Sequence, residues 1–414
     1  MEKKPIRTIL LLVVVLVLVA CAFGGGFLTG KVVPLFDAAT ATVPDPQATG
    51  TASESQGGTP ADLQTLFGSF WEAWDLLHTY YVDQPLDDVV LVQGAIRGML
   101  ESVGDPYTGY WTPVETNDAT MSMQGEYDGI GAWVDTTTEY LTITQPMPGY
   151  PAEQAGLLPG DQIIAVDGED VTGVDPELVR LTKVLGPAGS SVHLTILRTG
   201  QDEPLEFDIV RAHIVVASVE SEMLDANIAY IKIIQFGDNT GRDFIDQLGQ
   251  LMAQDPSGIV LDLRNNGGGY LDEAIIVASQ FISQGPILYE EFSDGSRISE
   301  DAQPGGMALD IPLVVLVNQY TASASEIVAG AVQDYARGQL VGVTTFGKGL
   351  VQNYFPLTDG GTARVTISKW LTPNGNTIHR QGLTPDVVVE LTEEDAAASR
   401  DPQLDAAIQL LLNR

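Results

Sequence analysis

The period of the apolar positions changes several times along this chain, and each change marks a boundary. From Leu63 to Leu100 it is helical: Leu66, Phe70, Trp74 and Leu77 recur at three and four, and a second amphipathic stretch runs over residues 89–100. Asp105-Pro106 then predicts a turn. Over residues 127–211 the texture becomes short alternating runs broken by Gly and Pro, at 141–144, 162–166 and 192–197, which predicts strands. Asp167-Gly168 predicts a hairpin turn after the second of these, and residues 152–155 suit a short helix. From Asn227 onward, buried-type apolar runs at 228–234, 259–263 and 313–317 alternate with helical spacing over 242–252 and 271–282. That alternation predicts an α/β layer architecture, closed by a tail helix over 404–412.

The N-terminus has no such period. Lys3, Lys4 and Arg7 precede a charge-free run over 9–23 that continues through Gly24-Gly25-Gly26 to Leu28. About 20 residues at a rise of about 1.5 Å match a bilayer core of roughly 30 Å. Basic residues before the run and an acidic chain after it place the bulk of the protein outside the cytoplasm. Two readings stay open. The run is either an uncleaved signal anchor or a lipoprotein signal, since Leu18-Val19-Ala20-Cys21 resembles a lipobox. Residues 34–61, rich in Thr, Ala, Pro, Gly and Ser, cannot repay the entropy of folding and predict a flexible linker. The organisation expected is therefore a membrane segment (1–30), a linker (31–62), a helical region (63–126), two folded domains (127–213 and 214–392) and a helical tail (393–414).

Charge narrows the function. Twenty Lys and Arg against 55 Asp and Glu give a formal net charge of -35, a surface that phosphate backbones repel, so nucleic acid is not an expected partner. The single cysteine, Cys21, allows neither a disulfide framework nor a cysteine metal cluster within one chain. The four histidines are scattered without metal-ligand spacing, so no metal site and no cofactor is expected. There is no Gly-x-Ser-x-Gly elbow, no His-Glu-x-x-His and no phosphate-binding loop.

Two short segments remain that local structure does not readily explain. In Asn318-Gln-Tyr-Thr-Ala-Ser323-Ala-Ser-Glu326, Ser323 stands after an apolar strand and opens an apolar helix; Ser323-x-x-Glu326 is also a capping-box pattern, which would make the serine purely structural. In Thr345-Phe-Gly347-Lys348-Gly349-Leu-Val-Gln352, a lysine is pinned between two glycines, and a surface turn is the plain alternative. A serine becomes a nucleophile when a base takes its proton, and a neutral lysine can be that base.

The order of these segments resembles known families. Ala155-Gly-Leu-Leu-Pro-Gly160-Asp161 followed by Val166-Asp-Gly168 resembles a PDZ domain, which binds an extended chain end as an added strand. Gly129-Ile130-Gly131-Ala132 is the candidate loop for the terminal carboxylate, with a simple glycine turn as the alternative. Ser323, Lys348 and Gln352 resemble the serine–lysine motif of C-terminal processing peptidases, the tail-specific protease family. Leu261-Asp-Leu-Arg264-Asn-Asn-Gly-Gly-Gly269, Trp370-Leu-Thr-Pro-Asn-Gly375, Gly382-Leu-Thr-Pro-Asp386 and Asp105-Pro-Tyr-Thr-x-Tyr110 agree with that family as well. Gly104 stands where relatives commonly carry an acidic residue, in a region where no chemistry is expected.

The resemblance implies a crotonase/Clp-protease-like α/β peptidase core with an inserted PDZ domain and an N-terminal helical region. It implies Ser323 as nucleophile, Lys348 as general base and Gln352 as the residue that orients the lysine amine. The backbone amides of Ala324 and of Gly268 or Gly269 would form the oxyanion site. Substrates would be proteins or peptides with free apolar C-termini, and the sequence leaves an oligomer or an activating partner open. A free lysine titrates near ~10.4, so a lysine base must be buried, with no carboxylate against its amine. A non-catalytic PDZ scaffold of the cell envelope is the alternative from another class.

Overall fold

The computed structural model describes residues 65–413 except 202, 393, 396, 397 and 399. The N-terminal apolar run, Cys21 and the linker lie outside the described residues; among the described residues no helix is long and apolar enough to cross a membrane. Two compact units divide the chain at Met99 and Leu100. The smaller contains helix Gly68–Tyr80 and most of helix Asp88–Glu101. Its aromatic spacing brings Trp74 onto the His78 ring, whose Nε2 lies 2.8 Å from Asp88 Oδ1.

In the larger unit the alternating segment folds as a sheet in the order Ala132–Asp135, Leu141–Pro146, Gln162–Val166, Ser191–Leu197, Leu205–Val210. Strand Ser191–Leu197 buries Val192, Leu194 and Ile196 and turns His193 and Thr195 outward, so its period of two is the burial pattern itself. Asp167 and Gly168 both take positive φ, 50° and 78°, in the two-residue turn onto Glu169–Asp170. The chain enters this domain along Glu126–Gly129 and leaves along Ala212–Val215, and those two strands pair antiparallel.

The second domain is built on a six-stranded sheet ordered Val219–Leu224, Ile228–Ile233, Gly258–Asp262, Leu313–Val317, Gln339–Gly342, Val387–Val388. All pairs but the first are parallel. Gly258–Asp262 and Leu313–Val317 are buried along their whole length, as strands covered on both faces must be. Val260, Val314, Leu316 and Val341 pack on the tail helix Pro402–Leu412. Their neighbours Ile259, Leu261, Val315 and Val317 face the opposite layer of Thr240–Met252, Leu271–Ala278 and Ala324–Asp334. Helix Leu271–Ala278 ends four residues before the apolar spacing does, because Phe281 and Ile282 continue into the core after the helix has stopped. Arg264 ties the tail helix to a strand end, reaching Asp262 at 2.6 Å and Asp401 at 2.8 Å.

The expected turn at Asp105-Pro106 is present, but residues 109–111, inside the region expected to be helical (63–126), do not form a helix. Asp105 caps a turn by accepting from the Tyr107 N–H at 3.0 Å, and Gly109–Trp111 becomes a strand paired with Thr362, Ala363 and Arg364. The Asp-Pro turn ends the helix, and the aromatic residues that follow suit a strand. They join an antiparallel sheet with Pro286–Phe292, Arg297–Asp301, Leu350–Pro356 and Thr362–Leu371.

Candidate active site

Three adjacent parallel strands, Gly258–Asp262, Leu313–Val317 and Gln339–Gly342, end in three loops: 263–270, 318–323 and 343–349. Neighbouring strands running the same way deliver their following loops to one edge, where α/β sheets hold their ligands. The first two loops are stitched together: Asn265 N–H donates to Asn318 Oδ1 at 3.0 Å, Asn318 Nδ2 donates to Asn265 Oδ1 at 2.8 Å, and Thr321 Oγ1 donates to the Leu263 carbonyl at 2.8 Å.

Ser323 stands at the N-terminus of helix Ala324–Asp334, buried, with φ 55° and ψ −118°. Such a backbone is costly for any residue with a Cβ, at about 1–3 kcal/mol, and persists only when its surroundings over-determine it. Here they do. Ala322 N–H and Ser325 Oγ both donate to the Asn266 carbonyl, at 3.0 and 3.1 Å, and Ser323 N–H donates to Glu326 Oε2 at 2.9 Å.

Glu326 does more than cap its helix. Fully buried, its Oε2 also accepts the Lys348 N–H at 2.8 Å, while Oε1 accepts the Gly347 N–H at 2.7 Å and the Thr345 hydroxyl at 2.6 Å. Burial drives this carboxyl above its ordinary range, against the pull of its four donors. The serine and lysine segments thus share one acceptor. Lys348 is only 1% exposed, and its Nζ lies 5.1 Å from the centroid of the Tyr107 ring. Its carbonyl accepts from Trp370 Nε1 at 2.9 Å. Of the flanking glycines, Gly347 has φ +87°, and a Cβ there would come within 2.7 Å of the Gly382 nitrogen.

Gln352 is fully buried on strand Leu350–Pro356, where a register irregularity sets it directly opposite Thr366. Its Nε2 donates to Thr366 Oγ1 at 3.1 Å, and its Oε1 is buried without a hydrogen-bond partner. Thr366 Oγ1 in turn donates to Asp105 Oδ2 at 2.5 Å. Two residues of the 105–108 turn therefore reach the lysine side of the site: Tyr107 directly, and Asp105 through Thr366.

On the serine side, a Cβ on Gly268 would lie 2.7 Å from Ser323 Cβ and 2.9 Å from the Ala324 nitrogen, so only glycine permits this approach. The Gly268 N–H donates to Asn266 Oδ1 at 2.9 Å, which commits that amide in this conformation. Gly269 stands behind it, bridged to the backbone of Phe236. A cavity of about 750 Å³ opens from Asn265, Gly267, Gly268 and Phe346 to Ile130, Ala132, Trp133 and Leu185 of the other domain. Within the predicted carboxylate loop, Ile130 and Ala132 line the cavity; the Ile130 and Gly131 carbonyls accept from Ala152 and Met147 N–H, at 2.7 and 2.9 Å.

The structure thus brings Gly268 against Ser323 and Ala324, ties the backbones of Ser323 and Lys348 to the one Glu326 carboxyl, and holds Gln352 on Thr366. Sequence reasoning missed Glu326, Tyr107, Asp105 and Thr366 as site residues. Glu326 was visible only as the acidic member of a capping box, and nothing local in the sequence links Asp105 to Thr366.

The sequence matches peptidase family S41 over residues 227–389, a PDZ domain over 142–198 and the activating protease CtpB N-terminal domain over 22–113. It is 39% identical over 349 residues to the carboxyl-terminal-processing protease of Synechocystis sp., covering 82% of this chain and 81% of that one. With the carboxy-terminal processing protease CtpA of Bacillus subtilis it shares 37% over 342 residues, 82% of this chain and 72% of the relative. Among solved structures, the photosystem II D1 C-terminal processing protease matches at 30% identity and a TM-score of 0.49, over 79% of this chain and 93% of that chain. Identity at this level over four-fifths of both sequences, spanning the PDZ sheet and the three-loop site alike, makes the chain a member of peptidase family S41, a serine-type C-terminal processing peptidase with a PDZ domain.

Proposed function

We propose that this peptidase is tethered to a membrane by its N-terminus, faces out of the cytoplasm, and cleaves with Ser323, Lys348 and Gln352. One observation carries the catalytic assignment: the buried Glu326 carboxylate accepts the backbone N–H of both Ser323 and Lys348, at 2.9 and 2.8 Å. Ser323 Oγ attacks the scissile carbonyl carbon as its proton passes to the neutral Lys348 amine. The tetrahedral intermediate then breaks its C–N bond, and the lysine returns the proton to the leaving amine. Water then attacks the acyl carbon as the same lysine takes its proton; the bond to Ser323 Oγ breaks and the lysine returns the proton to that oxygen, freeing a new C-terminal carboxyl group. Burial of Lys348 favours the neutral amine that this role requires. The Ala324 N–H, with Gly268 or Gly269, would receive the oxyanion; Gly268 does so by exchanging Asn266 Oδ1 for it.

The cavity running from Ile130 to Gly268 supports the substrate reading: a free, apolar C-terminus docks at 129–132 and its chain continues toward Ser323. Full-length protein in detergent, with Ser323→Ala and Lys348→Ala beside the parent, is tested on an unfolded protein with an apolar C-terminus. The parent cleaves and both variants lose cleavage; retention by either removes the dyad. Tethering is tested by mass spectrometry of the mature N-terminus, where a diacylglyceryl group on Cys21 selects the lipoprotein over the anchor and a free, water-soluble product removes both.

A further inference from the structure

We propose that Asp105, acting through Thr366, is a positioning residue of the peptidase: it fixes which way round the Gln352 carboxamide lies, so that Oε1 is offered to the Lys348 amine. The proposal rests on the serine–lysine–glutamine reading above.

The polarity of the chain carries the argument. Asp105 Oδ2 takes the Thr108 hydroxyl at 2.7 Å and the Thr366 hydroxyl at 2.5 Å, and Oδ1 takes the Tyr107 N–H at 3.0 Å. Burial works against the charge on Asp105. The bonds from Thr366, Tyr107 and Thr108 and the charge of Arg364 outweigh it, and the carboxyl sits below its usual range. An ionised carboxylate only accepts, and a threonine hydroxyl has one proton. With that proton directed to Asp105, Thr366 Oγ1 can only accept from Gln352. The glutamine must present Nε2 to it, as it does at 3.1 Å, and turn Oε1 away.

Oε1 is thereby a buried acceptor without a partner, on a residue four positions beyond the lysine. The lysine amine stands over the ring of Tyr107, in the same turn as Asp105. One turn therefore lies beside the amine and, through Thr366, orients the amide expected to aim it. Without the carboxylate, Thr366 can donate to Gln352, the amide can reverse, and an N–H₂ then faces the amine in place of a carbonyl. The titratable neighbours of Asp105 are Arg364, on the strand of Thr366, and His379, whose ring meets Tyr107 edge-on at 6.5 Å and whose burial pushes its imidazole towards the neutral form.

The test uses full-length protein and a peptide substrate, with kcat, KM and the pH profile measured for Thr366→Val, Thr366→Ser and the near-isosteric Asp105→Asn. Thr366→Val and Asp105→Asn should lower kcat about ten- to a hundredfold with KM within about twofold, the size of effect that misplacing a catalytic group produces. Thr366→Ser keeps the hydroxyl and should recover most of that loss. A carbonyl stabilises an ammonium more than an amine, so losing it should also move the alkaline-rising limb of kcat/KM to lower pH. If Thr366→Val does not fold, Asp105→Asn alone decides. Unchanged kcat in both, while Ser323→Ala and Lys348→Ala are inactive, overturns the relay but leaves the dyad. Equal losses in Thr366→Val and Thr366→Ser with an unmoved limb assign a merely structural role and overturn it too. Cleavage retained by Ser323→Ala or Lys348→Ala overturns the reading on which the proposal stands.

Discussion

Glu326 Oε2 accepts the backbone N–H of Lys348 at 2.8 Å across a gap of 22 residues. Because the same oxygen holds the Ser323 N–H and its partner oxygen holds Gly347 and Thr345, one carboxylate sets the spacing of two loops that leave different strands. A carboxylate meets four donors; a carboxamide of the same shape cannot, since its N–H₂ must face two of them. Glu326→Gln should therefore lose more than about tenfold in kcat and roughly 2–6 kcal/mol of stability, two unsatisfied buried donors at about 1–3 kcal/mol each. Urea unfolding and steady-state kinetics check this. Full activity in Glu326→Gln would mean that the native carboxyl is protonated and the four bonds are differently shared.

At Gly268 a methyl group has nowhere to go. Its Cβ would stand 2.7 Å from Ser323 Cβ and 2.8 Å from the Ala322 carbonyl, on a backbone with φ +104°. Gly268→Ala should lose activity by about a hundredfold or more while the rest of the sheet still folds, at a stability cost of about 1–3 kcal/mol. Circular dichroism and a peptide cleavage assay separate the two effects, and an active Gly268→Ala enzyme would remove Gly268 from the serine's immediate surroundings.

The PDZ end of the cavity has its own tight glycine. A Cβ on Gly131 would fall 2.4 Å from Tyr150 Cβ, at φ +75°. Gly131→Ala should raise KM for substrates with a free apolar C-terminus several-fold, leave kcat near the parent, and have no effect on amidated substrates, which already lack the carboxylate. An equal KM for free and amidated substrates in the parent would take carboxylate capture out of the account.

Glu273 supplies a pH dependence of stability. Burial, helped by Asp238, Asp272 and Asp243, pushes its carboxyl up to about 7, although Gly241 N–H donates to it. The folded state then binds a proton that the unfolded state has released, so this group makes stability fall as pH rises from about 4.5 towards 7. Glu273→Gln should flatten that slope and raise stability at pH 8 by roughly 1–2 kcal/mol, the shift being discounted for partial solvent screening. Melting curves of parent and variant at pH 5 and pH 8 give the comparison; a variant less stable than the parent at pH 8 would contradict it.

Much of this architecture is legible in the chain because burial on both faces of a sheet leaves an unbroken apolar run, as at Leu313–Val317, and a half-buried strand alternates, as at Ser191–Leu197. The serine and lysine segments stand out because each breaks its local pattern: a polar residue opening an apolar helix, and a lysine between glycines that later prove to pack against other backbone. What stays hidden depends on pairing across long separations. Gln352 meets Thr366 only because of the register of Leu350–Pro356 on Thr362–Leu371, and Thr366 meets Asp105 only because Gly109–Trp111 joins that same sheet. The Asp105-Pro106 turn is visible in the sequence, but not that the strand after it, Gly109–Trp111, brings the turn to Thr366.

The positive φ of Ser323 also restricts which amino acids the position can host. Threonine carries the same hydroxyl, yet its branched Cβ is a steric outlier on a backbone at φ 55°, ψ −118°. Cysteine, longer in its Cβ–S bond but unbranched at Cβ, carries no second γ-substituent. Chemically the hydroxyl-for-hydroxyl exchange is the conservative one, but sterically the thiol is. The backbone therefore selects what position 323 can host by shape as well as by reactivity.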